Sequence, residues 1–237
     1  MSLRHVPLLA LLTVGCFRVG KPDEGSRFVP PDQVTEFAIL FRRHCAGCHG
    51  TDGRLGPAPL LNDRLFLQIV PQEELHRVIR SGRPGTPMPA FQQDQGGMLT
   101  AEQVASLARG LPEQWGGPVG LQGAPSYFPK PGVVGDRDRG GKIFARACAI
   151  CHGDHGQGGT WGGYEGGALV GAINDPAFLV LVSDQFLRRT IIVGRPDLDM
   201  PDYQDFYGRG DDFRPLSDQD VTDLVALLAS WRASDRN

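Results

Sequence analysis

Cys45-Ala46-Gly47-Cys48-His49 and Cys148-Ala149-Ile150-Cys151-His152 spell one pattern, C-x-x-C-H, 103 positions apart. Each is followed by a second matched string. Gly82-Arg83-Pro84-Gly85-Thr86-Pro87-Met88-Pro89 answers Gly194-Arg195-Pro196-Asp197-Leu198-Asp199-Met200-Pro201, and the shared core is G-R-P-x-x-x-M-P at a spacing of 112. The same spacing pairs Asn62-Asp63 with Asn174-Asp175, Phe66-Leu67 with Phe178-Leu179, Arg77 with Arg189 and Ile79 with Ile191. The nine-residue difference between the two spacings is an insertion after the second pattern, rich in glycine over residues 156–167. The chain is an internal duplication.

C-x-x-C-H is the attachment signature of c-type heme. Two thiols add across the heme vinyl groups, and the histidine that follows on the same helical turn ligates the iron. A methionine thioether, a soft sulfur donor, suits the opposite axial position. The doubled strings therefore predict two covalently attached hemes. The first is held by Cys45, Cys48, His49 and Met88, and the second by Cys148, Cys151, His152 and Met200. Iron would be ligated by His49 and Met88 in one copy and by His152 and Met200 in the other. A lone C-x-x-C-H is also half of a zinc site, but its repetition with the Met-Pro string argues against that. Met98 competes with Met88 but lacks a following proline. Arg83 and Arg195 are candidate propionate contacts, because guanidinium recognises carboxylates bidentately; packing at a helix end is their alternative role. His44 and His155 flank the motifs on the wrong side to ligate, and His76 reads as a surface residue.

Helical signals dominate. A first helix is expected around residues 33–46 and 138–149, running into each motif. A middle helix near 72–81 and 184–193 stops at Gly82 and Gly194, suitable C-terminal caps. The last helix begins with a capping box at Thr100-Ala101-Glu102-Gln103, and with a looser version at Ser217-Asp218-Gln219-Asp220. No strand pattern competes. Residues 112–135 carry Pro118, Pro125, Pro129 and Pro131 among glycines and predict a linker without helix.

These features resemble class I cytochrome c in a tandem di-heme form, over nearly all of residues 33–232. Gly140-x-x-x-Phe144-x-x-x-Cys148 matches the family's first helix, where a glycine admits the last helix and an aromatic packs on it; Trp231 is the expected partner. The first copy has Phe41 but Phe37 in place of the glycine, and its last helix reads as lacking an aromatic. Gly56-Pro57-Ala58-Pro59-Leu60 resembles the loop whose carbonyl holds the proximal histidine, with Ala168-Leu169 as the second copy's equivalent. The resemblance implies an all-α fold of two such domains joined by a Pro/Gly-rich linker, with His/Met irons that exchange electrons rather than bind substrate.

The N-terminus reads as a targeting segment. Arg4 precedes a short apolar run over residues 6–14, too short to span a bilayer, which needs about 20 residues. It ends in Thr13-Val14-Gly15-Cys16, resembling a bacterial lipobox with Thr13 where the family usually has leucine. Cys16 is the odd thiol of five and is the candidate lipid anchor. The organisation expected is a signal peptide over 1–16, a tether over 17–32, a first cytochrome c domain over 33–112, a linker over 113–135 and a second domain over 136–233.

A net charge of -3 argues against nucleic acid as a partner. Lys21, Lys130 and Lys142 are the only lysines, so no lysine ring surrounds a heme edge. Residues 136–237 hold 11 basic and 16 acidic side chains, an acidic half that could steer toward a basic partner. The expected function is electron transfer by an extracytoplasmic di-heme cytochrome, not catalysis. It would be a carrier, or a subunit of a quinol-oxidising or terminal-oxidase complex, on the outer face of the cytoplasmic membrane or in the periplasm. Its partners would be redox proteins of an electron-transport chain. The alternative is a di-heme enzyme, a relative of peroxidases or thiosulfate dehydrogenases.

Overall fold

The computed structural model describes residues 28–56, 58–120, 123–161, 168–207, 209–210 and 212–232. The signal segment, the lipobox-like string and Cys16 lie outside the described residues. The chain divides into a unit ending at Val34, with a 3-10 turn at Pro31–Gln33, and a unit from Thr35 onward that contains both copies.

Each copy runs through five helices in the same order among the described residues. The first has α1 (Phe37–His44), α2 (Ala46–His49), α3 (Arg64–Ile69), α4 (Gln72–Ser81) and α5 (Ala101–Trp115). The second has α6 (Arg137–Ala147), α7 (Ala149–His152), α8 (Pro176–Leu181), α9 (Asp184–Val193) and α10 (Asp218–Trp231). The fold is all-α, and the two middle helices fall where the sequence places them. In α4, Leu75, Val78 and Ile79 are buried at the i, i+3, i+4 spacing of an amphipathic helix. Thr100 and Gln103 close a capping box on α5, and Ser217 and Asp220 close a complete one on α10 despite the shorter acid.

The short helices α3 and α8 were not anticipated. Their signal was the repeated Asn-Asp pair. Asp63 accepts the Phe66 N–H at 2.7 Å, and Asp175 accepts that of Ala177 at 2.7 Å, so each aspartate is an N-cap. A second surprise is a two-stranded antiparallel sheet at the glycine-rich insertion. Its strands are β1 (Gly159–Trp161) and β2 (Ala168–Val170), with Thr160 opposite Leu169.

First and last helices cross closely in both copies, by opposite means. In the second copy a side chain at Gly140 would collide with the Asp223 carbonyl and reach Leu227, so the glycine lets α10 approach. Phe144 meets Trp231 edge-on at 5.4 Å. In the first copy the large residue, Phe37, sits on the first helix, and the small one, Gly110, sits opposite on α5; a side chain there would enter the Phe37 ring. The bulk has changed helices. The aromatic read as missing from the last helix is Trp115, edge-on to Phe41 at 4.9 Å and to Phe37 at 5.5 Å. Helix α5 continues through Pro112, contrary to the expectation that proline ends it. Proline removes one backbone donor, and the Trp115 contacts hold the extra turn in place.

The linker beyond Trp115 is non-helical, as expected, but it is fastened to the second copy. Pro125 and Tyr127 are buried. The buried Arg188 donates to the Ser126 carbonyl at 2.9 and 3.0 Å and pairs with Asp218 at 2.5 Å. Asp218 also accepts the Ser126 N–H at 2.9 Å, and Gln185 donates to the Tyr127 carbonyl at 2.8 Å. Between the copies, the Arg189 guanidinium lies 3.5 Å over the Phe66 ring and donates to the Leu60 carbonyl.

Candidate heme-binding sites

Each C-x-x-C-H forms one turn of helix that abuts the first helix of its copy. Cys45 N–H donates to Phe41 at 2.8 Å and His49 N–H to Cys45 at 3.0 Å; the matching bonds in the second copy are 2.9 and 3.0 Å. Residues i, i+3 and i+4 share a helical face, so two thiols and one imidazole are presented together. All four thiols are free rather than paired in disulfides. Burial pushes the Cys45 and Cys148 thiols up to about 12, which keeps them protonated at neutral pH.

The imidazoles are prepared in different ways. His49 Nδ1 lies 3.0 Å from the Pro59 carbonyl, which can only accept, so the proton sits on Nδ1 and the Nε2 lone pair is left for a metal. The loop expected to hold this histidine does so. In the second copy the expectation fails: His152 Nδ1 is buried with no hydrogen-bond partner, and Leu169 is 85% exposed. Ala168 and Leu169 are instead paired as strand with Trp161 and Thr160. Desolvation lowers the affinity of both histidines for protons, and at His49 the charges of Arg189 and Arg83 act in the same direction. At His49 the Pro59 hydrogen bond opposes this fall, and in both copies the net direction favours the neutral ring that iron ligation uses.

The structure gives the G-R-P-x-x-x-M-P string a physical meaning. Gly82 and Gly194 end α4 and α9 with φ of 67° and 73°. A side chain on Gly82 would stand 2.5 Å from Pro89, and one on Gly194 2.5 Å from the Met200 carbonyl. The next residue closes the loop: Arg83 N–H donates to Met88 at 3.0 Å and Arg195 N–H to Met200 at 2.9 Å. Both methionines are thus held by their backbones at the same step of a clasp and are half-buried, whereas Met98 is 69% exposed. Arg195 is engaged by Asp197 at 2.6 and 2.9 Å.

Three residues that sequence reasoning passed over belong to these sites. Arg209 donates to the Ala147 carbonyl at 3.2 Å and to Asp202 at 2.7 Å, tying the end of α6 to the Met200 loop. Tyr203, where the first copy has Phe91, is fully buried with its hydroxyl unpartnered. Arg189, already described between the copies, is pushed down to about 10 by burial; Arg83 and Arg195 add to the fall, while Tyr127 and Asp63 oppose it. Only the duplication pointed to it, through its alignment with Arg77. Among the described residues no three of His, Cys, Asp and Glu converge on a common metal position. Free thiol pairs beside neutral imidazoles suit a heme held by thioethers and a histidine.

Each copy thus presents, on one helical turn of an all-α fold, the thiol pair and imidazole that suit covalently attached c-type heme. Residues 32–109 match the family described as cytochrome C oxidase, cbb3-type, subunit III. The cbb3-type cytochrome c oxidase subunit CcoP of Azospirillum sp. is 28% identical over 137 residues, covering 53% of this chain and 41% of that protein. The subunit FixP of Sinorhizobium medicae is 32% identical over 135 residues, covering 51% and 41%. FixP of Bradyrhizobium sp. is 34% identical over 128 residues, covering 50% and 39%. The chain spans about two fifths of the length of the curated relatives it matches. Among solved structures, the Kuenenia stuttgartiensis reducing HAO-like protein complex Kustc0457/Kustc0458 aligns over 85% of this chain and 98% of its own, at 22% identity and a TM-score of 0.41. The KustC0563 c-type cytochrome aligns over 32% and 93%, at 26% identity and a TM-score of 0.28.

Proposed function

We propose that this chain is an extracytoplasmic di-heme cytochrome that passes electrons between respiratory partners, as a carrier or as a subunit of a quinol-oxidising or terminal-oxidase complex. The observation that carries the reading is the doubled pattern: each copy has a methionine loop held closed by a glycine and an arginine N–H, and a C-x-x-C-H turn with both thiols free. Cys45, Cys48 and His49 would hold the first heme and Cys148, Cys151 and His152 the second, with Met88 and Met200 as further iron ligands. Heme supplies reversible one-electron exchange at iron. His49 with Met88, and His152 with Met200, would hold the iron, leaving it suited to electron exchange rather than substrate binding. Arg83 is a candidate propionate contact, and Arg195 shares its position while held by Asp197. The proposed domains are residues 33–112 and 136–233, behind a signal segment over 1–16 and a tether over 17–32.

Cys16 is the proposed lipid anchor, and the similarity to oxidase subunits supports a place at the outer face of a membrane. Among the described residues no helix is long and apolar enough to cross one. The function is tested on the purified oxidised protein. Two low-spin hemes should appear, each with a sulfur-to-iron charge-transfer band. Replacing Met88 or Met200 should abolish one band and open that iron to carbon monoxide, while a Met98 variant should do neither. One high-spin or bis-histidine heme would instead favour the di-heme enzyme. Mass spectrometry of the mature N-terminus tests the anchor: an unmodified terminus beyond Cys16 removes it.

A further inference from the structure

We infer that Arg189, which belongs to the second copy, is a positioning and potential-setting residue for the heme of the first copy. Its neighbours carry the argument. The guanidinium leaves its own copy, lies 3.5 Å over the ring of Phe66 on α3, and donates to the Leu60 carbonyl. Leu60 follows Pro59, whose carbonyl sits 3.0 Å from His49 Nδ1. A side chain of one copy therefore braces the loop that orients the other copy's proximal ligand.

The duplication explains how this arose. Arg77 occupies the equivalent place on α4, and Glu74 one turn earlier holds it at 2.6 and 2.7 Å. On α9 the equivalent of Glu74 is Phe186, so no carboxylate on that helix turn captures Arg189. The side chain crosses to the first copy instead. A half-buried cation favours the state with one more electron, so Arg189 raises the first heme's potential while acting little on the second. Among the described residues the second copy has no matching brace: His152 Nδ1 is unpartnered. The two hemes are thereby made unequal by one residue at their junction.

This inference rests on the heme assignment proposed above. The test uses the full chain carrying both hemes, with Arg189→Leu and Arg189→Lys compared by spectroelectrochemical titration. The first heme's signals are assigned from a Met88→Leu sample. Arg189→Leu should shift the first heme's reduction equilibrium about tenfold toward the oxidised form, about 59 mV for one electron. The second heme should move less, and Arg189→Lys, which keeps the charge, should hold the first heme near its original value. If the leucine variant fails to mature, the near-isosteric neutral Arg189→Gln carries the same expectation. An unmoved first heme, an equal shift of both hemes, or a lysine variant that falls as far as the leucine variant overturns the inference. Peptide mass mapping that finds no heme on Cys45 and Cys48 sinks the underlying assignment, and the inference with it.

Discussion

Gly82 and Gly194 show how much one residue can decide. Each sits at positive φ at the end of a middle helix, in van der Waals conflict with any side chain, and each precedes the arginine whose N–H closes on the methionine carbonyl. An alanine at Gly82, where φ is 67° and ψ -163°, incurs about 1–3 kcal/mol for a backbone conformation nearly confined to glycine, with the Pro89 contact in addition. Gly82→Ala should therefore loosen the Met88 loop before it unfolds the copy. The expected result is a sulfur-to-iron band that bleaches at lower temperature for the first heme only, followed by thermal absorption spectroscopy. An unchanged band would show that the loop tolerates a displaced backbone.

At the scale of elements, the exchanged bulk at the helix crossings makes a direct test. Phe37 and Gly110 on α1 and α5 are the inverse of Gly140 and Leu227 on α6 and α10. Phe37→Ala should cost about 3–5 kcal/mol by opening a cavity. Gly110→Leu should cost about 1–3 kcal/mol or more by driving into the ring. The double variant, which moves the bulk to the last helix as in the second copy, should be less destabilised than the sum by about 1–3 kcal/mol. Chemical denaturation of the four proteins measures the cycle, and strict additivity would argue that the two residues do not share a space. Helix α6 adds a pH prediction. The N–H of Arg139, then that of Asp138, hold the Asp136 carboxyl below the usual carboxylate range. Its stabilisation is complete above the unfolded value of about 3.9 and is lost as pH falls through the depressed folded value. Acid titration followed by near-UV circular dichroism should show Asp136→Asn lacking that part of the acid transition.

For the whole molecule, the linker is an extension of the second copy rather than a free tether. Ser126 and Tyr127 accept hydrogen bonds from Arg188 and Gln185, and Asp218 receives both Ser126 and Arg188. Residues 136–237, expressed with a heme-attachment system, are expected to fold around one heme. A longer piece starting at residue 124 should be more stable, because the shorter one leaves the buried Arg188 without the Ser126 carbonyl. Hydrogen bonds to charged groups contribute about 1.5–3 kcal/mol each, which sets the expected difference in unfolding free energy. Equal stability of the two pieces would show that solvent replaces the linker without loss.

The sequence by itself determined the duplication, the helical class, the middle helices, the capping boxes and the heme-attachment turns. Those features are local: a cap, a helical period or a C-x-x-C-H turn is settled by residues within a few positions of one another. The glycine-to-methionine clasp was visible as a string, but its reason, a carbonyl standing where a side chain would go, is a contact. Tertiary structure decided the rest. Trp115 kept α5 helical past Pro112, Gly110 took the place of the glycine missing near Phe37, and Ala168 and Leu169 paired as strand, with His152 Nδ1 lacking the carbonyl His49 enjoys. Arg189 is the clearest case. Its neighbours in the chain explain why it is not captured on its own helix, and only the docking of two copies of one pattern explains where it went.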